Sequence, residues 1–161
     1  MMDEAVTAGV PLRLLPATAW RTYRGGSLMA RRHGAAGAED TNFPEAWLLS
    51  AVTARNPGRE HLSEGLSVLA GSNKPLREHL KAAPEALLGP GRRDLAVLVK
   101  LIDAAERLSV QVHPTRADAK RLFDSDFGKT ECWHILDTRR MDEEAPCIYL
   151  GFRAGVTKAQ W

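Results

Sequence analysis

Polar side chains recur at every second position of the segment Leu108–His113. Successive side chains of a strand point to opposite faces, so this polar set would share one face of a predicted strand. The set consists of Ser109, Gln111 and His113. Glu131 follows on another predicted strand. Two donors at alternate positions of one strand, with a carboxylate from a neighbouring strand, are one arrangement that places three ligands around a divalent ion.

The spacing leaves a second interpretation open, a solvated strand face that carries a hydrogen-bonded histidine. Gln-x-His pairs arise by chance, and glutamine is an uncommon zinc ligand. The apolar residues that alternate with the polar ones favour a buried strand, however, and buried His, Gln and Glu side chains need polar partners. A metal ion would supply such a partner, so the metal site is a hypothesis at this point.

Two lysines are the second chemical signal. Lys100 interrupts the apolar run Leu95–Ile102, where its ammonium is costly to bury unless it reaches a carboxylate, water or an anionic ligand. The alternative is a side chain that extends to the surface. Lys129 lies in a predicted turn after Gly128, either as a solvated loop charge or as part of a site. Together with the Ser109 hydroxyl, the two ammonium groups are suitable donors for a phosphate dianion.

The composition is that of an ordinary globular domain. The 161 residues are 44% hydrophobic and 26% charged, which excludes disordered and fibrous classes. A net charge of +2 is too small to indicate a nucleic-acid or membrane-surface partner. The apolar runs are far shorter than the roughly 20 residues that span a bilayer, and no signal-peptide pattern opens the chain, so we expect a cytoplasmic protein. Two cysteines favour reduced thiols, with a single disulfide left open.

The apolar patterning predicts a mainly β fold with a small helical insertion. Residues 1–40 are expected to be a loosely structured lead-in, and residues 74–90 a helical insertion of two short helices. Residues 94–152 are expected to contribute the metal-site strands. The predicted strands are Glu45–Val52, Leu66–Ala70, Leu95–Ile102, Leu108–His113, Thr130–Leu136 and Cys147–Phe152. Thr115 predicts a helix N-cap, with the helix continuing to about Phe123.

Three motifs occur in order along the second half of the chain: Leu98–Ala104, Leu108–Pro114 and Gly128–Trp133. With them, the chain resembles the type I mannose-6-phosphate isomerases. Further segments are similar to the family's Gly-Gly-x-Leu, its Glu-x-Trp-x-x-Ser strand and the strand that leads into its second half. These segments are Gly25–Leu28, Glu45–Ser50 and Ile148–Phe152.

The resemblance implies a cupin-type β-sandwich or jelly roll, a bound zinc ion, and interconversion of mannose 6-phosphate and fructose 6-phosphate. It also implies a sugar phosphate as the small-molecule partner. By position, Gln111, His113 and Glu131 are similar to the family's first three metal ligands. Ser109, Lys100 and Lys129 match positions associated with the substrate, and Lys129 is a candidate proton carrier or electrostatic partner in catalysis.

Two departures from the family pattern bear on activity. The glycine pair follows Arg24 where the family usually has tryptophan. The family's fourth ligand, a histidine, and its catalytic arginine lie further downstream, so residues 1–161 are expected to be the N-terminal part of a cupin-type isomerase, with the jelly roll incomplete and activity of this chain alone doubtful. A predicted helix that starts at Thr157 and stops at Trp161 agrees with this expectation. The alternatives are a non-catalytic metal- or sugar-phosphate-binding cupin and an inert fragment.

Overall fold

The computed structural model describes residues 9–141 and 143–160. Within these ranges the chain forms five strands and four helices. In chain order they are β1 (Leu14–Leu15), β2 (Ala17–Ala19), α1 (Ser27–Arg32), β3 (Glu45–Leu49), β4 (Val68–Leu69), α2 (Leu76–Ala82), α3 (Pro84–Leu88), β5 (Val99–Ile102) and α4 (Arg116–Phe123). The start of the predicted lead-in, residues 1–8, and Trp161 of the predicted terminal helix lie outside the described residues.

The strands form two small antiparallel sheets. One is three-stranded in the order β2-β3-β5, and the other pairs β1 with β4. Both sheets are consistent with an incomplete cupin-type β-sandwich, which confirms the mainly β fold class. In the larger sheet Trp47 lies opposite Ala17 on one side and Lys100 on the other. Trp47 is buried with Ala19 and Ala54, so this sheet face forms a small core.

The helical insertion is confirmed. α2 begins after Pro75 and buries Leu76 and Leu80, one turn apart, as the apolar spacing predicts. Pro84 occupies the first turn of α3, where its missing N–H costs nothing, and Gly89 ends that helix. The predicted cap of α4 is also confirmed, because the side chain of Thr115 accepts a hydrogen bond from the Asp118 amide.

The described part of the lead-in is more ordered than the sequence indicates. It contains β1, β2 and α1, and the first amides of α1 donate to the carboxylates of Asp40 and Asp103. Asp103 Oδ2 accepts hydrogen bonds from the amides of Leu28 and Met29, at 2.7 and 3.0 Å. The preceding Gly25 lies against the same segment, since a Cβ atom there would be only 1.8 Å from the carbonyl oxygen of Asp103. This close approach leaves no room for a side chain at position 25.

Several predicted strands are shorter or absent. The continuous apolar run Leu95–Ile102 is typical of a strand buried on both faces. That expectation is wrong, because only β5 is a strand here, and it is an edge strand with Val99 43% exposed. No strand is assigned to residues 108–113, 130–136 or 147–152. Alternation indicates which side chains share a face, but a strand also needs a hydrogen-bonded neighbour. Among the described residues, no strand pairs with these segments.

The chain divides into two compact units at the Thr130–Glu131 boundary. Every named strand and helix belongs to the first unit. In the second unit Cys132 and Cys147 are exposed free thiols, which agrees with the prediction of reduced cysteines. No helix within residues 9–141 and 143–160 has the length and apolar character required to cross a membrane.

Candidate functional site

The loop after α4 returns to the segment that precedes the helix. The amide of Lys129 donates a 3.0 Å hydrogen bond to the carbonyl of Pro114. The side chain of Lys129 contacts the same segment, since its Nζ donates a 3.1 Å hydrogen bond to Gln111 Oε1. A residue that the sequence assigns to substrate is thus in direct contact with a residue that it assigns to the metal. Both side chains are exposed.

Gly128 makes this return possible. A Cβ atom at position 128 would lie 2.9 Å from the Pro114 carbonyl oxygen and 2.9 Å from the Arg116 amide nitrogen. Both atoms belong to the backbone at the start of α4, and backbone atoms cannot give way as a flexible side chain can. The absence of a side chain at position 128 therefore determines where Lys129 is placed.

His113 and Ser109 lie on the same irregular segment as Gln111. His113 is half-buried and Ser109 is exposed. The segment is anchored at its end by the Thr115 cap and by the bond to Lys129, so the local geometry comes from α4 and its loop rather than from a strand ladder. The site residues from Ser109 to His113 and Lys129 therefore belong to one part of the first unit.

Glu131 belongs to the second unit. It is half-buried, and its Oε1 accepts a 2.6 Å hydrogen bond from Trp133 Nε1. Within the part of the chain that the structure describes, no group of three or more His, Cys, Asp or Glu side chains is arranged to hold a metal ion. The predicted ligand set contains only two residues of those types, because its third member is Gln111.

Lys100 reaches a carboxylate, and the alternative of a side chain that extends to the surface is wrong. Its ammonium lies 3.4 Å from both carboxylate oxygens of Glu45, and its side chain is 21% exposed. The register of β3 and β5 explains the contact. Lys100 is directly opposite Trp47, and Glu45 is two residues before Trp47, so all three side chains share one face of the sheet.

Glu45 is the centre of a buried hydrogen-bond network that the sequence analysis did not identify. The carboxylate is 4% exposed and accepts hydrogen bonds on both oxygens. Oε2 accepts from Arg21 Nη2 at 2.8 Å and from Trp47 Nε1 at 2.7 Å. Oε1 accepts from the Tyr23 hydroxyl at 2.7 Å. A signal was present in the sequence, because Glu45 alternates with Trp47 at the start of an apolar strand, where an unpaired carboxylate is costly.

Electrostatics keep this carboxylate ionised. Burial alone would raise the pKa of Glu45, but the hydrogen bonds from its three neutral and charged donors and the charge of Lys100 outweigh burial, so its pKa lies below the ordinary value. The hydrogen bond between Tyr23 and Glu45 has the opposite effect on the pKa of Tyr23. Burial, the hydrogen bond to Glu45 and the negative charge of that group raise the pKa of Tyr23, which stays a neutral donor.

Comparison with known proteins gives matches over most of the chain. Residues 20–132 match the family described as phosphomannose isomerase type I, catalytic domain. The chain is 42% identical over 95 residues to the probable mannose-6-phosphate isomerase GmuF of Bacillus subtilis strain 168, which covers 59% of the chain and 28% of that protein. It is 41% identical over 76 residues to a mannose-6-phosphate isomerase of Streptococcus mutans, covering 47% of the chain and 22% of that protein.

A longer match links the chain to the putative mannose-6-phosphate isomerase YvyI of Bacillus subtilis strain 168. The two are 30% identical over 139 residues, which is 86% of the chain and 40% of that protein. The matched part of the chain thus spans less than half the length of each of these relatives. No solved structure matches the chain significantly.

Proposed function

This chain belongs to the type I phosphomannose isomerase family, and we propose that it forms part of a zinc-dependent enzyme that interconverts mannose 6-phosphate and fructose 6-phosphate. All six candidate site residues fall within the matched range, 20–132. The observation that carries the proposal is the 3.1 Å hydrogen bond from Lys129 Nζ to Gln111 Oε1. It joins a residue proposed for substrate to a residue proposed for the metal, from two separate sequence motifs.

The reaction requires the transfer of one proton between two neighbouring carbons. A base removes the C2 proton of the aldose while O1 takes up a proton, which gives the enediol. Loss of the O2 proton and delivery of a proton to C1 then give the ketose, with the carbonyl at C2. Negative charge develops on the sugar oxygens O1 and O2 during these proton transfers, so a positively charged donor held near them lowers the barrier. We assign this electrostatic role to Lys129, whose ammonium already donates to an amide oxygen in the structure.

Binding of the phosphate group is assigned to Lys100 and Ser109. Ammonium and hydroxyl groups are strong donors to phosphate oxygens. Lys100 lies mostly within the sheet face, and Ser109 is exposed on the segment that carries Gln111. In this proposal these two residues hold the substrate and Lys129 acts at the sugar oxygens.

The proposed zinc ligands are Gln111, His113 and Glu131. Imidazole and carboxylate groups are usual zinc ligands, and an amide oxygen is a weaker oxygen donor. In the structure the hydrogen bond from Lys129 turns the amide oxygen of Gln111, and not its nitrogen, toward the lysine. By residue type, an imidazole, a carboxylate and an amide oxygen are donors that fit a divalent cation. When bound, zinc would supply Lewis acidity to the sugar oxygens.

Zinc content and turnover of mannose 6-phosphate test the proposal together. Both are measured on this chain and on a protein extended downstream to the length of its relatives. We expect stoichiometric zinc and fructose 6-phosphate production from the extended protein, and a large loss of kcat in Lys129→Met. Lys120→Met is the matched control, because Lys120 is an exposed lysine of α4 that pairs with Asp124 and Asp126. Equal kcat in both variants would contradict the role of Lys129.

The alternative function is a non-catalytic cupin that binds metal or sugar phosphate. Zinc bound without turnover in both proteins would favour this alternative, and neither binding nor turnover would favour an inert fragment. A cytoplasmic location remains part of the proposal and would be checked by fractionation of cells that express the protein.

A further inference from the structure

In the three-stranded sheet, the side chain of Lys100 is partly open to solvent and the carboxylate of Glu45 is buried. The Lys100 side chain is 21% exposed, whereas that of Glu45 is 4% exposed. An anion that approaches this face therefore meets the ammonium and not the carboxylate. The two groups come from β5 and β3, which are paired through the backbone, so their separation is fixed by the ladder.

The carboxylate itself has little freedom to move. Arg21 Nη2, Trp47 Nε1 and the Tyr23 hydroxyl all donate to it at 2.7 to 2.8 Å. Arg21 is held in turn, because its guanidinium lies 5.3 Å from the centroid of the Trp47 ring and donates to the Trp20 carbonyl at 2.9 Å. Lys100 Nζ is 3.4 Å from each Glu45 oxygen, so it faces both oxygens of a fixed carboxylate.

The charges of this cluster do not cancel. Arg21 and Lys100 carry two positive charges, and Glu45, their ion-pair partner, carries one negative charge. Arg21 makes the shorter contact, at 2.8 Å against 3.4 Å for Lys100. The surplus positive charge therefore lies at the Lys100 ammonium, which makes the longer contact, and an anionic group is favourable there.

We propose that Glu45 is a positioning residue that holds the Lys100 ammonium for the phosphate group of the substrate. The inference rests on the proposed function, since it takes the phosphate of a sugar phosphate as the anion. Glu45 acts through Lys100 and does not itself touch the substrate. Without the carboxylate, the flexible four-carbon side chain of Lys100 would sample several rotamers, and part of the binding free energy would be lost in ordering it.

A double-mutant cycle on the extended protein tests this inference. The variants are Glu45→Gln, Lys100→Met and the two together, and the measurements are the Kd for mannose 6-phosphate by calorimetry, with KM and kcat. We expect Glu45→Gln to weaken binding about tenfold and to raise KM more than it lowers kcat. Because Glu45 acts through Lys100, the double variant should bind no more weakly than Lys100→Met. Additive losses, or an unchanged Kd in Glu45→Gln, would overturn the inference.

A second pair of variants separates positioning from a general loss of stability. Tyr23→Phe removes one hydrogen bond to Glu45 and leaves every charge in place, so it keeps the test valid if Glu45→Gln fails to fold. We expect a threefold weaker Kd in this variant and no further loss in the Lys100→Met background; an unchanged Kd would count against the proposal. Glu64→Gln is the matched control, because Glu64 is a mostly buried carboxylate paired with Arg59. The Kd of this variant for mannose 6-phosphate should equal that of the wild type.

The outcomes for the inference and for the proposed function differ. Binding with the expected coupling, but without turnover, contradicts the isomerase and supports the positioning role. Turnover with additive losses supports the isomerase and contradicts the positioning role. A wild-type protein that binds no mannose 6-phosphate contradicts both.

Discussion

The backbone amide of Lys129 lies 3.0 Å from the carbonyl oxygen of Pro114, so the loop after α4 is fastened to the segment before it. This hydrogen bond joins the segments on either side of the eight-residue helix α4. The side chain of Lys129 also donates a hydrogen bond to Gln111. The position of this candidate catalytic lysine is thus determined by a turn rather than by a sheet.

Gly128→Ala is expected to disturb this turn. The new Cβ would lie 2.9 Å from backbone atoms of Pro114 and Arg116, and relief of such a clash costs about 1–3 kcal/mol of unfolding free energy. Lys129 should also move, with a higher KM or lower kcat, measured alongside urea unfolding. Gly58→Ala is the control, since Gly58 has a positive φ but no atoms within 4 Å of an added Cβ. It should lose stability with unchanged KM and kcat, whereas Gly128→Ala with both KM and kcat unchanged would contradict the prediction.

Lys100→Met is expected to raise the KM for mannose 6-phosphate at least tenfold, which corresponds to about 1.4 kcal/mol. Its effect on folding should be smaller, because Glu45 keeps its 2.8 Å ion pair with Arg21. Steady-state kinetics and chemical denaturation measure the two effects on the same sample. Lys81→Met, at an exposed position in α2, should change neither. An unchanged KM in Lys100→Met would remove this residue from the site.

His113→Ala is expected to abolish zinc binding by the extended protein. An imidazole is the strongest zinc donor in the proposed set, and the remaining amide and carboxylate oxygens are weaker ligands. Zinc per chain is measured by mass spectrometry after gel filtration, so the result does not depend on activity. His61→Ala, at an exposed loop position, should keep its zinc. Stoichiometric zinc in His113→Ala would refute the ligand assignment.

Glu45 should make the stability of the fold dependent on pH. Its folded-state pKa is below the ordinary value of about 4.3, so its stabilising contribution is present above that pH and is lost as the pH falls through the folded-state pKa. Glu45→Gln lacks this contribution at every pH. The difference in unfolding free energy between wild type and variant should therefore narrow from pH 7 to acid conditions, as measured by urea unfolding. A difference that is constant with pH would show that Glu45 does not titrate with folding.

Local signals in the sequence were sufficient for α2, α3 and α4, but not for α1 or for several of the strands. The Leu76 and Leu80 spacing, Pro84 and the Thr115 cap each act within one or two turns, and the structure confirms the helices that they predict. The alternation at Leu108–His113 indicates a common face, yet the structure has no strand there, because a strand depends on a partner elsewhere in the chain.

In the candidate site, too, local patterns identify single residues but not the contacts between distant ones. Sequence motifs identified Lys100 and the need for a carboxylate or an anion near its ammonium. The carboxylate is Glu45, which is 55 positions earlier, and no local pattern connects the two. Their contact follows from the β3–β5 register, which depends on how the strands pair and not on either strand alone.

The contact of α1 with Asp103 also affects the order in which the chain folds. A six-residue helix is too short to be stable alone, and the Asp103 carboxylate that accepts from its first-turn amides lies 75 positions beyond Leu28. At a synthesis rate of about 5–20 residues per second, roughly 4 to 15 seconds pass between the synthesis of the helix and that of Asp103. During translation, α1 therefore lacks the Asp103 carboxylate until residue 103 has been synthesised.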